Sequence, residues 1–235
     1  MARAKASTLT SEGADDGIPE WKQQSVERSL QAARGRAQAR SDRFVAATIE
    51  LMNERGSTDF TVQDVVDRSR MSIRTFYNFF ASKDDLLVAV HHTILASEVT
   101  PRLRRACEKE SDPVNRVRVY IEAIYHLTSN VTPVYRALTT YSNRLAETRP
   151  QELARAYRPQ VELVEQLVKD AVASGRLQTP LSADTAAHLL HHTVLTAVHN
   201  RVLGSEQGGH ITAEELWAFC AMGLGVDPRP AKSTR

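Results

Sequence analysis

Three helix-start signals fall between Thr61 and Leu87, spaced too closely for anything but short helices joined by tight turns. Thr61 and Asp64 spell a capping box, in which hydroxyl and carboxylate satisfy the free amides that open a helix, and Val62, Val65 and Val66 follow at helical spacing. That helix should end near Ser69. Ser72 is the next cap, opening a helix over Ile73 to Phe79. There Ile73, Phe76 and Phe80 form an apolar face, while Arg74, Thr75, Tyr77 and Asn78 point elsewhere. A helix so divided docks one side on the protein. Its other side offers a guanidinium, a hydroxyl, a phenol and an amide, the groups that hydrogen-bond base edges and phosphates in a major groove. Ser82 caps a third helix through Asp85. Lys83 in its first turn runs against the helix dipole, which favours anions at that end. An external phosphate there would satisfy both the dipole and the ammonium.

Ser72 to Leu87 read Ser-x-x-Thr-Phe-Tyr-x-x-Phe-x-Ser-Lys-x-x-Leu-Leu, which resembles the DNA-binding signature of the TetR family of bacterial transcriptional regulators. The resemblance is specific over about residues 40 to 90, including a preceding helix from Asp42 to Arg55 and its terminating Gly56, and architectural beyond. It implies an all-α protein: an N-terminal three-helix helix-turn-helix domain and a larger helical domain for ligand binding and dimerisation. Matched by position, it implies phosphate contacts from Thr61, Tyr77 and Lys83 and base reading by Arg74 and Thr75. Ser72 would hold the recognition helix with a phosphate in reach, and Asn78 replaces a frequent histidine that contacts the backbone. Arg70 stands where the family usually has glycine. A left-handed residue there is strained by roughly 1 to 2 kcal/mol, so either the turn follows another dihedral path or packing absorbs the strain. Arg70 also adds positive charge beside the expected duplex.

The formal net charge of +2 over 235 residues is too mild to argue nucleic-acid binding, so any electrostatic footprint must be local. Lys22, Arg28, Arg34, Arg36, Arg40 and Arg43 face only Glu27 and Asp42 in the stretch before the first family helix. This basic arm could add phosphate or minor-groove contacts, or be a solvated tail. The expected organisation is a disordered or frayed arm over 1–35, the DNA-binding domain over 36–88, the ligand-binding and dimerisation domain over 89–226 and a disordered tail over 227–235. Cys107 and Cys220 have neither disulfide-framework nor zinc spacing. With no apolar run of membrane length and no signal-peptide core, a cytoplasmic location without membrane association is expected.

Punctuation divides the remainder into long helices. The helix from Lys83 should run toward Lys109 with a kink or break near Pro101. Asp112-Pro113 and Thr132-Pro133 are cap-and-proline starts. Pro150 and Pro159 frame a connection, followed by a stripe of Val161, Val164, Leu167, Val168 and Val172 that ends at Gly175. Ser182 starts a helix reaching Leu203, and Thr212 with Glu215 boxes the last one. These two final helices are apolar on more than one side, so one side packs inward and another wants a partner. In proteins of the resembled family they pair across a twofold axis. A homodimer would present two reading helices to a near-palindromic site, about 34 to 36 Å apart or a multiple of that.

Tyr120, Tyr125, Tyr135 and Tyr141 lie with Ile124 and Leu138 on helices that line a pocket in the resembled family, and His188 and His192 add polarity from a later helix. Tyrosines suit a largely apolar effector bearing a few oxygens; each could equally be a core residue bonded to a carbonyl. His188, His192 and His199 share a helix face, but no cysteine or carboxylate cluster accompanies them, so no metal is expected. Protonation of these imidazoles near pH 6 could shift a dimer or pocket. No cofactor is expected and nothing marks an enzyme: no phosphate-cradling loop, nucleophile elbow or dinucleotide fingerprint occurs. The reading is a repressor released from operator DNA by a small molecule. An architectural DNA-binding protein without a ligand, or a regulator that activates, is the alternative; moderate charge speaks against the architectural one.

Overall fold

The computed structural model describes residues 19–127, 132–204 and 211–226. The disorder expected over residues 1–18 and 227–235 lies outside them. Among the described residues the protein is all helical: α1 (Glu20–Arg55), α2 (Val62–Ser69), α3 (Ile73–Tyr77), α4 (Lys83–Ile94), α5 (Thr100–Glu108), α6 (Pro113–Leu127), α7 (Pro133–Thr148), α8 (Pro150–Ala173), α9 (Ala183–Leu203) and α10 (Ala213–Gly223). Packing divides the chain into two units, Met1–Asp42 and Arg43–Arg235.

In the first unit, residues 20–35 of the arm are helical. Good helix formers and Glu20 in the first turn explain this, since the segment buries almost nothing and leaves Trp21, Val26 and Leu30 exposed.

The second unit begins with an aromatic core. Phe44 is fully buried and meets Phe76 edge-on at 5.5 Å and Phe80 at 6.2 Å between centroids. Val65, Val66, Leu86, Leu87 and Val90 complete that core. Arg68 forks onto both carboxylate oxygens of Glu54 at 2.6 and 2.7 Å, tying α2 to α1. Arg43 donates to the Ser69 carbonyl at 2.8 Å, a cation where the dipole of α2 ends.

The path from α4 to α5 does not break at Pro101. It passes through a π-helical turn, Leu95–Val99, after which the Thr100 amide bonds the Leu95 carbonyl. Pro101 lacks an amide hydrogen and its ring crowds the carbonyl four residues back; the wider turn accommodates both. Asp112 caps α6 as expected, accepting from the amides of Val114 (3.0 Å) and Asn115 (2.9 Å). Thr132 precedes α7 without a side-chain capping bond.

The connection expected between Pro150 and Pro159 is helix instead, with Pro159 inside α8. An interior proline costs about 3 kcal/mol, offset here by burial of Ala156, Tyr157, Gln160, Leu163 and Val164 along one face. Of the expected stripe, Val172 is exposed. Ser182 and Gly204 bound α9, and the Thr212–Glu215 box opens α10.

Candidate nucleic-acid interface and interior cavities

Local chemistry sets the helix-turn-helix. Thr61 Oγ1 accepts from the Asp64 amide at 3.1 Å, and the Asp64 carboxylate takes the Thr61 amide at 2.7 Å. The Thr61 amide and hydroxyl, with the Arg55 guanidinium, hold the Asp64 carboxyl down at about 2. Arg70 is left-handed (φ 53°, ψ 40°), and its amide bonds the Asp67 carbonyl while that of Met71 bonds Val66, the two bonds of a Schellman turn. The turn therefore keeps the left-handed path, held by these two bonds. Arg70→Gly is expected to raise stability by about 0.5 to 1 kcal/mol, the relief of left-handed strain less the entropy of a freer unfolded chain. Urea unfolding measures it; a loss of stability would mean that the Arg70 side chain contributes more than its backbone costs.

Ser72 Oγ accepts from the Thr75 amide at 3.1 Å and lies 2.8 Å from the Thr75 hydroxyl. α3 ends at Tyr77, two residues earlier than expected, because the Phe79 and Phe80 amides both turn back to the Phe76 carbonyl. Phe76 and Phe80 face the core as expected, but Ile73 does not: it is 47 % exposed in the first turn of a helix too short to bury it. Arg74, Tyr77 and Asn78 are exposed beside it, Tyr77 resting edge-on against Phe76 at 5.3 Å.

Lys83 is half-buried, and its ammonium donates to the carbonyls of Thr58 (3.0 Å) and Phe60 (2.9 Å), above the Phe60 ring. The mismatch with the helix dipole thus has an internal answer. Lysine stitches the loop before α2 to the start of α4, and one of its three N–H groups remains for another partner.

The other end of this unit clamps the same first turn of α4. Tyr141 donates to the Asp84 carbonyl at 3.1 Å, Arg144 pairs with the Asp84 carboxylate at 3.3 Å, and Arg149 pairs with Asp85 at 2.7 Å. Asp85 also accepts from the Ser82 hydroxyl, and Arg149 and Ser82 hold its carboxyl below the ordinary range against burial.

Two cavities lie within the larger helical part. One, of about 720 Å³, is walled by the end of α7, the first half of α8 and one face of α9, including Ser142, Leu153, Tyr157, His188, His191 and His192. The other, of about 70 Å³, lies deeper, among Ile94, Ile124, Tyr135, Leu138, Gln160 and Val198. Tyr157, Leu195 and His199 belong to both walls. Of the residues read from sequence, His188 and His192 line the larger cavity, and Ile124, Tyr135 and Leu138 the smaller. Tyr120, Tyr125 and Tyr141 line neither. Tyr120 is fully buried and its hydroxyl lies 3.2 Å from His191 Nδ1; Tyr125 donates to the Ile211 carbonyl at 2.7 Å; Tyr141 serves the clamp. Sequence reasoning missed His91, Tyr157 and Gln160, although Tyr157 and Gln160 share the helical face with Val164.

No described helix is long and apolar enough to cross a membrane. Residues 44–90 match the family described as bacterial regulatory proteins, tetR family. The uncharacterized HTH-type transcriptional regulator YvdT of Bacillus subtilis (strain 168) is 19% identical over 187 residues, 79% of this chain and 95% of that protein. Among solved structures, a TetR-family transcriptional regulator from Pectobacterium atrosepticum superposes with a TM-score of 0.67 at 19% identity, covering 84% of this chain and 99% of the other. The Thermus thermophilus FadR repressor in complex with lauroyl-CoA superposes with a TM-score of 0.62 at 20% identity, covering 83% and 99%. The helix-turn-helix is thus built on the segment that matches the tetR family of bacterial regulatory proteins, and the chain shares the fold of TetR-family transcriptional regulators.

Proposed function

We propose that this regulator is a homodimeric repressor that occupies a near-palindromic operator and leaves it when a small molecule enters the interior cavities. The carrying observation is the division of α3: Phe76 is fully buried while Arg74, Tyr77 and Asn78 are exposed on one surface. Arg74 and Thr75 read bases, and exposed Ile73 suits a thymine methyl. Thr61, Ser72, Tyr77, Asn78 and the remaining N–H of Lys83 meet phosphates, with Arg70 adding charge alongside.

A second copy of the chain covers the outer faces of α9 and α10. Leu189, Thr193, Thr196, Asn200 and Leu203 recur along α9 at helical spacing, with Leu189 56 % exposed, and on α10 Phe219 and Met222 are 64 % and 65 % exposed. Large apolar side chains in such numbers on one surface mark an interface. Ligand release is supported by the Thermus relative, a repressor in complex with lauroyl-CoA, and by the clamp on α4. Ser142, Pro150 and Leu153 line the larger cavity beside Arg149, whose guanidinium holds Asp85. A ligand that spreads the α7–α8 corner shifts the first turn of α4 and with it the pitch of α3. A coupling of about 1 to 3 kcal/mol weakens operator binding some 5- to 150-fold.

Selection from a randomised duplex pool, with wild type beside Arg74→Ala, tests the reading. A near-palindrome enriched by wild type and degraded at defined positions in the variant is expected, with about 1 to 3 kcal/mol lost on the correct site. No enrichment from ligand-free protein sinks it. Lys83→Ala should weaken all sequences evenly and lower the salt slope by about 1; an unchanged slope assigns Lys83 to the loop alone.

A further inference from the structure

Three buried polar atoms converge on the smaller cavity without a partner: His91 Nδ1, Tyr135 OH and Gln160 Oε1. Gln160 is 1 % exposed and His91 2 %, so the folded chain withholds these groups from solvent without bonding them to itself. Native proteins rarely leave such groups orphaned. Most of the remaining wall is aliphatic, with Ile94, Leu95, Val99, Ile124, Leu138 and Val198 among its members; Thr139, Tyr157 and His199 complete it, and it contains no carboxylate, lysine or arginine. The charged groups, Arg155, Arg158, Glu162 and Glu165, line only the larger cavity. Between the two stands Tyr157, whose hydroxyl reaches His199 Nε2 across a long 3.4 Å.

We infer that the effector is a neutral small molecule with an apolar body and one hydroxyl or carboxamide group, which seats in the smaller cavity against Gln160, His91 and Tyr135 while the body occupies the larger one. This rests on the ligand-release reading above. A carboxamide presents a donor and an acceptor in either orientation, and imidazole and phenol each do both, so the three together match an uncharged head that also donates and accepts. A carboxylate or phosphate would lose its hydration among aliphatic side chains with no fixed cation to replace it. Nor can His91 readily become that cation, since burial first, then His199 and His92, pushes it down to about 4. An ammonium head meets the same barrier with no carboxylate in the wall. The Tyr157–His199 contact, between two residues that line both cavities, is long for a hydrogen bond.

Calorimetric titration of the full chain with 2-naphthol, 4-butylphenol and 4-butylbenzamide, against 2-naphthoate and 4-butylbenzoate, tests the head chemistry on matched skeletons. Neutral members should bind, and each anion about tenfold or more weakly than its neutral counterpart. Gln160→Leu and the milder Tyr135→Phe should weaken the neutral members by about tenfold or more and erase the preference for them, because an apolar wall no longer answers the head group. Operator binding by these variants without probe should be unchanged. Binding by the anions as tight as by the neutral compounds, binding by none, or neutral binding indifferent to both substitutions, as when water alone completes these groups, overturns the inference. Neutral probes that bind in the Gln160-dependent way yet leave the operator occupied overturn the release reading and leave this one standing.

Discussion

Lowering the pH from 7.5 to 4.5 should remove about 6 to 10 kcal/mol of folding stability, enough to unfold most proteins of this size. Three imidazoles carry the effect. His91, His191 and His199 are each pushed from an ordinary 6.5 to about 4, in every case chiefly by burial, with neighbouring histidines adding to it at His91 and His191. The unfolded chain therefore binds protons between pH 6.5 and 4 that the folded chain refuses. Stability from this source is fully present above 6.5 and lost as pH falls toward 4, by about 3 kcal/mol per group. Asp64 and Asp85, whose pKa values are depressed, contribute their losses lower, below the ordinary carboxylate value of 3.8. Urea unfolding at several pH values reads the slope directly. A stability flat from 7.5 to 4.5 would mean that these rings open to water at little cost.

Phe44→Ala should lose about 3 to 5 kcal/mol and abolish operator binding together with it. The side chain is fully buried and meets three rings, Phe76, Phe79 and Phe80, at 5.5, 6.5 and 6.2 Å. Two of these rings are the buried side of the recognition segment, so truncation leaves both a void and an unsupported α3. Thermal unfolding and operator titration should fall together, whereas Arg74→Ala should move only the titration. Retained operator affinity in Phe44→Ala would show that α3 is positioned by its turns instead of its core.

The helix-turn-helix was legible because its instructions are local. Thr61, Ser72 and Ser82 each bond an amide three residues on, so cap and helix sit in one window of sequence. The cavities were not, because their walls are assembled from distant segments. Tyr125 finds its acceptor 86 residues away at Ile211, and nothing near Tyr125 distinguishes it from Tyr135, whose hydroxyl has none. Tyr157 and Gln160 were hidden by prolines at 150 and 159, which read as the borders of a connection until the burial along α8 is seen to outweigh one missing hydrogen bond. The internal partners of Lys83 were out of view for a related reason: these carbonyls lie 23 and 25 residues upstream.

The π-helical turn at Leu95–Val99 sets the phase of everything after it. Leu95, Val99, Leu103 and Cys107 are all buried and recur every fourth residue. Each such step overshoots a 3.6-residue turn by about 40°, so on a regular helix the stripe would rotate off the core. A turn of more residues takes up part of that drift, letting Leu86, Val90 and Ile94 before it and Leu103 and Cys107 after it face the same interior. Five residues wound as a π turn rotate the chain about as far as four wound as α, so dropping one would return the turn to α geometry with α5 still facing the interior. It would press the Pro101 ring back onto a helical carbonyl, so the extra residue and the proline stand or fall as a pair.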